Sequence, residues 1–237
     1  MKKITIDEGN TSVKIAFFEN NQMVFMESDV NLERVKELVS KCDRLIVSTV
    51  KQNTLFEPLL SSKFAISLNS STPIPITNCY ETPHSLGNDR IALAVGAIAN
   101  FPNNNVLVID AGTCITYDFI NSKKEYLGGS ISPGIQMRYN ALHQFTSQLP
   151  LLESVNTAIL TGTNTEGSIH SGIINGVLVE IDGIIQRYTN KYPDIKVIVT
   201  GGNAKFFDKG LKNTIFANPN LLMEGLNKIL DYNESYF

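Results

Sequence analysis

The chain opens with an alternation of hydrophobic and polar residues that predicts antiparallel strands. Lys3 to Ile6 is β-branched and enters the turn composition Glu8-Gly9-Asn10-Thr11. Ser12 to Phe18 alternates again, and so does Gln22 to Met26 after a second turn at Asn20-Asn21. Short alternating runs separated by Gly and Asn are typical of a β-meander.

Helical spacing follows the predicted meander. From Asn31, a candidate N-cap, the apolar residues Leu32, Val35 and Leu38 recur at intervals of three, which predicts an amphipathic helix. Leu45 to Val50 is then continuously apolar, as in a buried parallel strand. This alternation of strand and helix predicts an α/β fold.

The rest of the chain repeats this alternation. Three prolines between residues 70 and 85 predict an extended connector, and the run Met137 to Phe145 reads as a helix packed in the core. Helices are also predicted over residues 91–100, 168–187 and 221–230 and after Ser132-Pro133-Gly134, and strands over 106–109, 114–120 and 196–200.

One pattern occurs twice. A strand, an Asp, one residue, a Gly, a Thr-bearing turn and a second strand fill Ile4 to Val13 and again Val106 to Thr116. A third glycine turn, Thr200-Gly201-Gly202, also follows a strand. The repeat predicts two related lobes, and we place them at residues 1–104 and 105–237.

Composition and charge exclude several classes of protein. The net charge is −3 and no long basic run exists, so the positive surface that nucleic acid requires is not expected. Three distant cysteines without Cys-x-x-Cys spacing suggest reduced thiols rather than disulfides or zinc. Neither a leader peptide nor a membrane span of ~20 apolar residues is evident. We expect a cytoplasmic protein without nucleic-acid or membrane partners.

The turn Asp7-Glu8-Gly9-Asn10-Thr11 has the chemistry of a phosphate and metal site. A glycine allows close backbone approach, the N–H groups of Gly9 and Asn10 can donate to phosphate oxygens, and Asp7 can hold Mg²⁺ directly or through water. A plain β-hairpin turn uses the same residue types, so one copy leaves both interpretations open. The repeat favours a phosphate site.

Gly87-Asn88-Asp89-Arg90 places a carboxylate beside a guanidinium at a predicted helix start. Arg90 could hold a substrate carboxylate in bidentate fashion, and Asp89 could accept a proton from a hydroxyl that attacks a phosphate group. The alternative is an exposed helix N-terminus, with Asp89 favoured by the macrodipole and Arg90 in solvent. The segment alone does not decide between them.

These patterns together resemble the acetate and sugar kinase, Hsp70 and actin superfamily, and within it the type III pantothenate kinases. The resemblance spans the whole chain and depends on the order and spacing of the motifs. They are Asp7 to Lys14, Tyr80-Glu81-Thr82-Pro83, Leu86-Gly87-Asn88-Asp89-Arg90, Gly128-Gly129, Ser132-Pro133-Gly134, Gly162-Thr163-Asn164-Thr165 with Ser171-Gly172, and Thr200-Gly201-Gly202.

The resemblance implies an α/β fold of two related actin-like (ribonuclease H-like) lobes, with mixed sheets flanked by helices and an ATP cleft between them. It also implies ATP-dependent phosphorylation of the terminal hydroxyl of pantothenate, the first step of coenzyme A synthesis, by a homodimer whose substrate site lies near the subunit contact. The implied cofactors are ATP, Mg²⁺ and a monovalent cation, K⁺ or NH₄⁺.

The family's functional residues fall on particular positions of this chain. The implied catalytic base is Asp89, and the implied cation ligand is Asp110. The implied pantothenate contacts are Tyr80, Gly87, Asn88, Asp89, Arg90 and Thr165, and the implied ATP contacts are Asp7, Glu8, Gly9, Asn10, Thr11, Ser12, Val13, Lys14 and Thr113.

Several alternatives accompany this assignment. Thr165 could be a helix N-cap, with Ser168 competing for that role. Glu8 departs from the small or branched residue usual in the family, and its charge would weaken ATP binding unless the side chain points away. A nucleotide-dependent switch and a hydrolase of phosphate chains are the other functional hypotheses. Gly172, Gly176 and Gly183 on the long helix suggest either internal close packing or a dimer contact.

Overall fold

The computed structural model describes residues 1–51, 54, 56–60, 64–208 and 210–234. It divides into two compact units. The first unit contains residues 1–103, 120–128 and 220–237, and the second contains residues 104–119 and 129–219. The division into lobes of residues 1–104 and 105–237 stays a prediction.

The first unit is built on a five-stranded mixed sheet with the order β3-β2-β1-β4-β5. The meander β1-β2-β3 is antiparallel, as predicted, and β4 and β5 continue the sheet in parallel. The strands are β1 (Lys2–Glu8), β2 (Val13–Glu19), β3 (Gln22–Ser28), β4 (Arg44–Thr49) and β5 (Ala65–Ser67).

Helices cover both faces of this sheet. Ile4 and Ile6 of β1 share a core with Val35 and Leu38 of α1, while Thr5, on the opposite face, contacts the sulfur of Met223 in α7. The helices are α1 (Leu32–Val39), α2 (Glu57–Leu60), α3 (Asn88–Asn100) and α7 (Leu221–Tyr232), with a 3₁₀ turn at Pro83–Ser85. Asn31 caps α1 through the Arg34 amide, as predicted.

The second unit repeats the pattern in a sheet with the order β11-β10-β7-β8-β9. Its core lies against α4 and α5. The elements are β7 (Val106–Ala111), β8 (Cys114–Ile120), β9 (Glu125–Pro133), α4 (Ile135–Gln144), α5 (Thr165–Lys191), β10 (Lys196–Thr200), α6 (Ala204–Asp208) and β11 (Phe216–Ala217). The start of β9 lies in the first unit, where the short β6 (Thr77–Asn78) pairs with it.

The α5 helix is long and apolar enough to cross a membrane by length and composition alone. The sequence predicted a helix here, over residues 168–187, but no membrane span. Its buried residues, among them Ile173, Val177 and Ile181, belong to the core of the second unit. This one-sided burial is that of an amphipathic core helix.

Candidate active site

The first Asp-x-Gly turn lies where β1 ends, at the centre of the first sheet. The Gly9 N–H donates to the Ser12 carbonyl at 3.1 Å and closes the turn, which leaves Asn10 and Thr11 exposed. In the β1–β2 register Lys14 lies directly opposite Asp7. The turn therefore presents exposed polar groups beside a buried carboxylate and a lysine.

Asp7 is only 8% exposed, and its ionisation depends on this burial. The pKa of the Asp7 carboxyl is raised to about 6, mainly by burial. The negative charges of Asp89 and Glu8 act in the same direction, whereas Ser48 and Lys14 lower the pKa. Asp89 acts on Asp7 through its charge, so the structure brings the predicted base to the predicted phosphate turn. Both residues belong to the first unit.

One carboxylate atom of Asp7 fits a role as a cation ligand. The Oδ1 atom is buried and accepts no hydrogen bond within the described part of the chain. A buried carboxylate oxygen without a partner is costly, and a hydrated Mg²⁺ would supply the missing donor. In the described residues no cluster of three or more acidic, His or Cys side chains forms a metal site. A metal here would therefore depend on Asp7 together with phosphate or water oxygens.

Asp89 is the second residue of α3, which begins at Asn88 directly after the N-cap Gly87. A Cβ on Gly87 would meet the Asp89 carboxylate in its present orientation, so a larger residue at 87 would displace this side chain. The Asp89 Oδ1 atom accepts a hydrogen bond from the Arg90 N–H at 2.8 Å. The side chain of Asn88 donates to the carbonyls of Leu68 at 2.9 Å and Thr49 at 3.5 Å.

Arg90 does not extend into solvent as the helix-terminus alternative assumed, because it is only 6% exposed. Its guanidinium carbon lies 5.8 Å from the centroid of the Tyr80 ring, and the Tyr80 ring lies 6.1 Å from that of Tyr126. A Cβ on Gly128 would meet the Tyr80 ring at 3.3 Å, so this glycine allows the ring to lie against the chain. The predicted substrate residues Tyr80 and Arg90 therefore form one cluster with Asp89.

The second Asp-x-Gly turn lies at the corresponding place in the second unit. Asp110 in β7 pairs with Thr200 in β10, and the Gly112 N–H donates to the Cys114 carbonyl at 2.9 Å. Two residues, Gly112 and Thr113, separate the strands here, against four in the first turn. Thr113, the predicted further ATP contact, is exposed at its tip.

Gly201 leaves room for oxygen atoms beside Asp110. It has a φ of +93°, and a Cβ there would collide with the Asp110 carboxylate and the Ala111 carbonyl. The Asp110 carboxylate and the Ala111 carbonyl therefore lie close together, packed against the main chain of Gly201. Oxygen ligands of this kind suit a hard cation.

Thr165 is the first residue of α5 and is exposed, but it is not the N-cap. Asn164 holds that position, and its side chain accepts a hydrogen bond from the Gly167 N–H at 2.7 Å. Both N-cap candidates proposed from the sequence, Thr165 and Ser168, are therefore wrong, because Asn is at least as good a cap as Thr or Ser. Thr165 instead lines a groove of about 930 Å³ between α4 and α5.

Phe145 departs from the prediction of ordinary core packing for the run Met137 to Phe145. Tyr139 is buried at 1% exposure, whereas Phe145, the C-cap of α4, is 80% exposed and lies at the same groove. Helical spacing predicted the face of α4 correctly, but α4 ends at Gln144 and its last aromatic residue is left uncovered.

Two residues near Asp7 were missed by the sequence reasoning, namely Ser48 and Thr49 at the end of β4. They pair with Asp7 and Glu8 in the parallel β1–β4 register. The signal was available, because adjacent parallel strands bring their carboxyl ends to one edge of a sheet and the strand Leu45 to Val50 had been predicted as parallel.

Comparison with known proteins identifies the relatives of this chain. The family model described as type III pantothenate kinase matches residues 3–187. A type III pantothenate kinase of Cytophaga hutchinsonii is 46% identical over 232 residues, covering 97% of this chain and 99% of the relative. The enzyme of that name from Christiangramia forsetii is 44% identical over 240 residues, covering 98% and 99%.

Solved structures share the fold at low identity. The activator of the 2-hydroxyisocaproyl-CoA dehydratase from Clostridium difficile, solved with bound ADPNP, superposes with a TM-score of 0.55 at 13% identity and covers 100% of this chain and 97% of its own. A glucokinase from an Antarctic psychrotroph gives 0.52 at 11% identity, with 98% and 99% covered. These likenesses establish the fold.

The mixed sheets flanked by helices and the repeated strand–turn–strand units define an actin-like α/β protein of the class that includes sugar kinases. This confirms the predicted fold class. The family match and the identities above define the chain more closely. It belongs to the type III pantothenate kinase family and is a kinase.

Proposed function

We propose that this protein transfers the γ-phosphoryl group of ATP to the terminal hydroxyl of pantothenate, giving 4′-phosphopantothenate in the first step of coenzyme A synthesis. The observation that carries the proposal is the electrostatic proximity of Asp89 to Asp7. A kinase needs its proton acceptor beside the phosphate-binding turn, because positioning and charge neutralisation supply most of the rate. Membership of the family supports the choice of acceptor.

In this proposal Asp89 accepts the proton of the pantothenate hydroxyl as its oxygen attacks the γ-phosphorus. Arg90 binds the pantothenate carboxylate, since a planar guanidinium matches a carboxylate in bidentate fashion. Tyr80 supplies an aromatic wall, and Gly87 with Asn88 supplies the start of α3. Thr165 at the start of α5 is the further proposed pantothenate contact.

The phosphates of ATP are assigned to the turn Asp7 to Lys14, with Thr113 as a further contact. The exposed residues Asn10 and Thr11 offer a main-chain N–H and a hydroxyl donor, whereas the Gly9 N–H is used within the turn, and Lys14 offers a cation. Mg²⁺ would neutralise phosphate charge during transfer. The Oδ1 atom of Asp7 supports an Mg²⁺ position at this turn.

A monovalent cation, K⁺ or NH₄⁺, is assigned to Asp110. The closeness of the Asp110 carboxylate to the Ala111 carbonyl at Gly201 supports this assignment.

We further propose a cytoplasmic homodimer. Gly172, Gly176 and Gly183 are exposed on α5, and a Cβ on any of them would meet nothing within 4 Å. Close packing inside the chain therefore does not explain these glycines, which supports the dimer interpretation.

A coupled assay of ADP release with ATP, Mg²⁺ and a small panel of hydroxy acids tests the proposal. We expect turnover in K⁺ buffer that depends on pantothenate, less turnover in Na⁺ buffer, and a loss of about 100-fold or more in kcat for Asp89→Asn. Release of ADP without any acceptor would instead indicate a hydrolase or a nucleotide switch. Full turnover by Asp89→Asn would remove Asp89 from the proposed role.

A further inference from the structure

Glu8 lies in the phosphate turn but points away from Asp7. Successive side chains of a strand alternate between faces, so Glu8 shares the face of Ile4 and Ile6 and is 0% exposed. The Thr49 hydroxyl donates to its Oε2 atom at 2.8 Å, and the Lys51 ammonium lies 3.6 Å from its Oε1 atom. The charge of Glu8 is thus held inside the protein by specific partners, away from the phosphate side of the turn.

Thr49 connects this carboxylate to the main chain that follows β4. Its hydroxyl oxygen accepts a hydrogen bond from the Lys51 N–H at 3.1 Å while its hydrogen goes to Glu8. The Val50 N–H also donates to the Glu8 carbonyl at 3.2 Å. The ends of β1 and β4 are therefore fixed to each other beyond the ordinary ladder of the sheet.

Asn88 continues the connection to α3. Its amide donates to the Thr49 carbonyl at 3.5 Å and more closely to the Leu68 carbonyl. The residue after it is Asp89. A short path of hydrogen bonds thus runs from the residue after Asp7, through Thr49, to the residue before Asp89.

We propose that Glu8, Thr49 and Asn88 form a positioning network that sets the distance between the Asp7 and Asp89 carboxylates. This inference depends on the proposed function for its consequence in catalysis. Glu8 then acts through its neighbour Asp7, and Asn88 acts through its neighbour Asp89. This role explains why a turn that binds polyphosphate contains a buried acidic residue. A small displacement of Asp89 would misalign the proton acceptor and lower the rate.

Thr49→Val tests the network, because it removes the hydroxyl at nearly constant volume, and Thr49→Ser is the matched control that keeps it. We expect kcat to fall about 10-fold in Thr49→Val with little change in KM for ATP, and to return to within about 2-fold of the original value in Thr49→Ser. Asn88→Ala should also lower kcat. The double variant Thr49→Val/Asn88→Ala should lose less than the product of the two single losses, because residues of one network are not additive.

A measurement independent of turnover is amide hydrogen exchange at Val50 and Lys51, whose N–H groups donate to the Glu8 carbonyl and to the Thr49 hydroxyl. We expect this exchange to accelerate about 10-fold or more in Thr49→Val and to stay within about 2-fold of the wild-type rate in Thr49→Ser. Wild-type kcat together with unchanged exchange in Thr49→Val would overturn the inference. A rise in KM for pantothenate alone in Asn88→Ala would also overturn it, since that result marks direct substrate binding. If the wild-type protein shows no pantothenate-dependent turnover, the proposed function fails while the exchange measurement still decides on the network.

Discussion

At the residue scale, the ionisation of Asp7 sets a pH dependence of stability in the absence of ligands. Its pKa is about 6 in the fold, against an ordinary value of 3.8. The folded state then binds more protons than the unfolded state between these values, so the contribution of Asp7 to stability is complete below about pH 4 and is lost as the pH rises through 6. The loss amounts to about 3 kcal/mol at most.

Asp7→Asn should remove this penalty. At pH 8 we expect the variant to be more stable than the wild-type protein by about 1–3 kcal/mol, or roughly 3–10 °C in the thermal midpoint, with the difference shrinking towards pH 4. Thermal unfolding followed by circular dichroism between pH 4 and 8 measures this, and Asp194→Asn is the matched control because Asp194 is exposed. A constant offset between Asp7→Asn and wild type across that range would show that Asp7 carries no such penalty.

The residues of the candidate site could be predicted in part from their place along the chain. Asp7, Asp89 and Asp110 were found because each occupies a recognisable position, two at strand ends before a glycine and one at a helix start. The proximity of Asp89 to Asp7 was not predictable by local pattern. This proximity depends on the position of the start of α3 relative to the ends of β1 and β4. Contacts between segments about 40–80 residues apart, such as that of Asn88 with Thr49, determine this position.

At the element scale, α3 and α7 approach each other through glycines. A Cβ on Gly225 would collide with the Ala92 carbonyl, and one on Gly96 would lie 2.6 Å from the Leu221 carbonyl. Main-chain atoms cannot move aside as a flexible side chain could. Gly225→Ala should therefore destabilise the first unit by about 3 kcal/mol, although alanine favours a helix over glycine by about 0.5–1 kcal/mol. Denaturant unfolding measures the change.

The control for Gly225→Ala is Gly202→Ala, which adds the same methyl group where no heavy atom lies within 4 Å. It should change the unfolding midpoint little. A Gly225→Ala variant as stable as the control would mean that the two helices can separate at low cost. Such a result would contradict the close backbone approach that defines this pair.

Long elements with clear periodicity were predicted, and short or irregular ones were not. The predictions for the meander, β4, α3, α5 and α7 are confirmed, with ends extended by a few residues. Strand β9 was missed because its Gly128-Gly129 weakens the strand pattern, yet Gly129 is needed where a Cβ would collide with the Tyr117 carbonyl. Strands β5, β6 and β11 have only two or three residues, so they are too short to show an alternation of hydrophobic and polar residues. They form because they pair with neighbouring strands.

At the scale of the whole molecule, the internal repeat was readable because each copy is local. Both copies are a strand, an Asp-x-Gly turn and a returning strand, and the structure contains both. In contrast, the sequence did not predict which segments make up each compact unit. The first unit includes α7 from the end of the chain. The Lys3 ammonium contacts the carboxylates of Asp231 and Glu234, two residues more than 200 positions away.

The proposed homodimer gives a prediction for the exposed face of α5, defined by Gly172, Gly176, Val179 and Gly183. Val179 is 71% exposed on a helix whose opposite side is buried. Glycines in a row around it let another backbone come close, so a charge at 179 would be buried without a partner in a dimer. Val179→Glu should therefore convert a dimer of 26.2 kDa chains into a monomer.

Light scattering coupled to size-exclusion chromatography measures this mass, and Val24→Glu provides the matched control. Val24 is an equally apolar, exposed residue at 56%, but it lies on β3 of the first unit, so its variant should remain dimeric. A monomeric wild-type protein, or a Val179→Glu variant that stays dimeric, would contradict a contact through α5. Thr165 begins the same helix. If the dimer forms through α5, the monomeric variant should therefore also bind pantothenate more weakly, which a higher KM would show. Its unfolding midpoint should stay close to that of Val24→Glu.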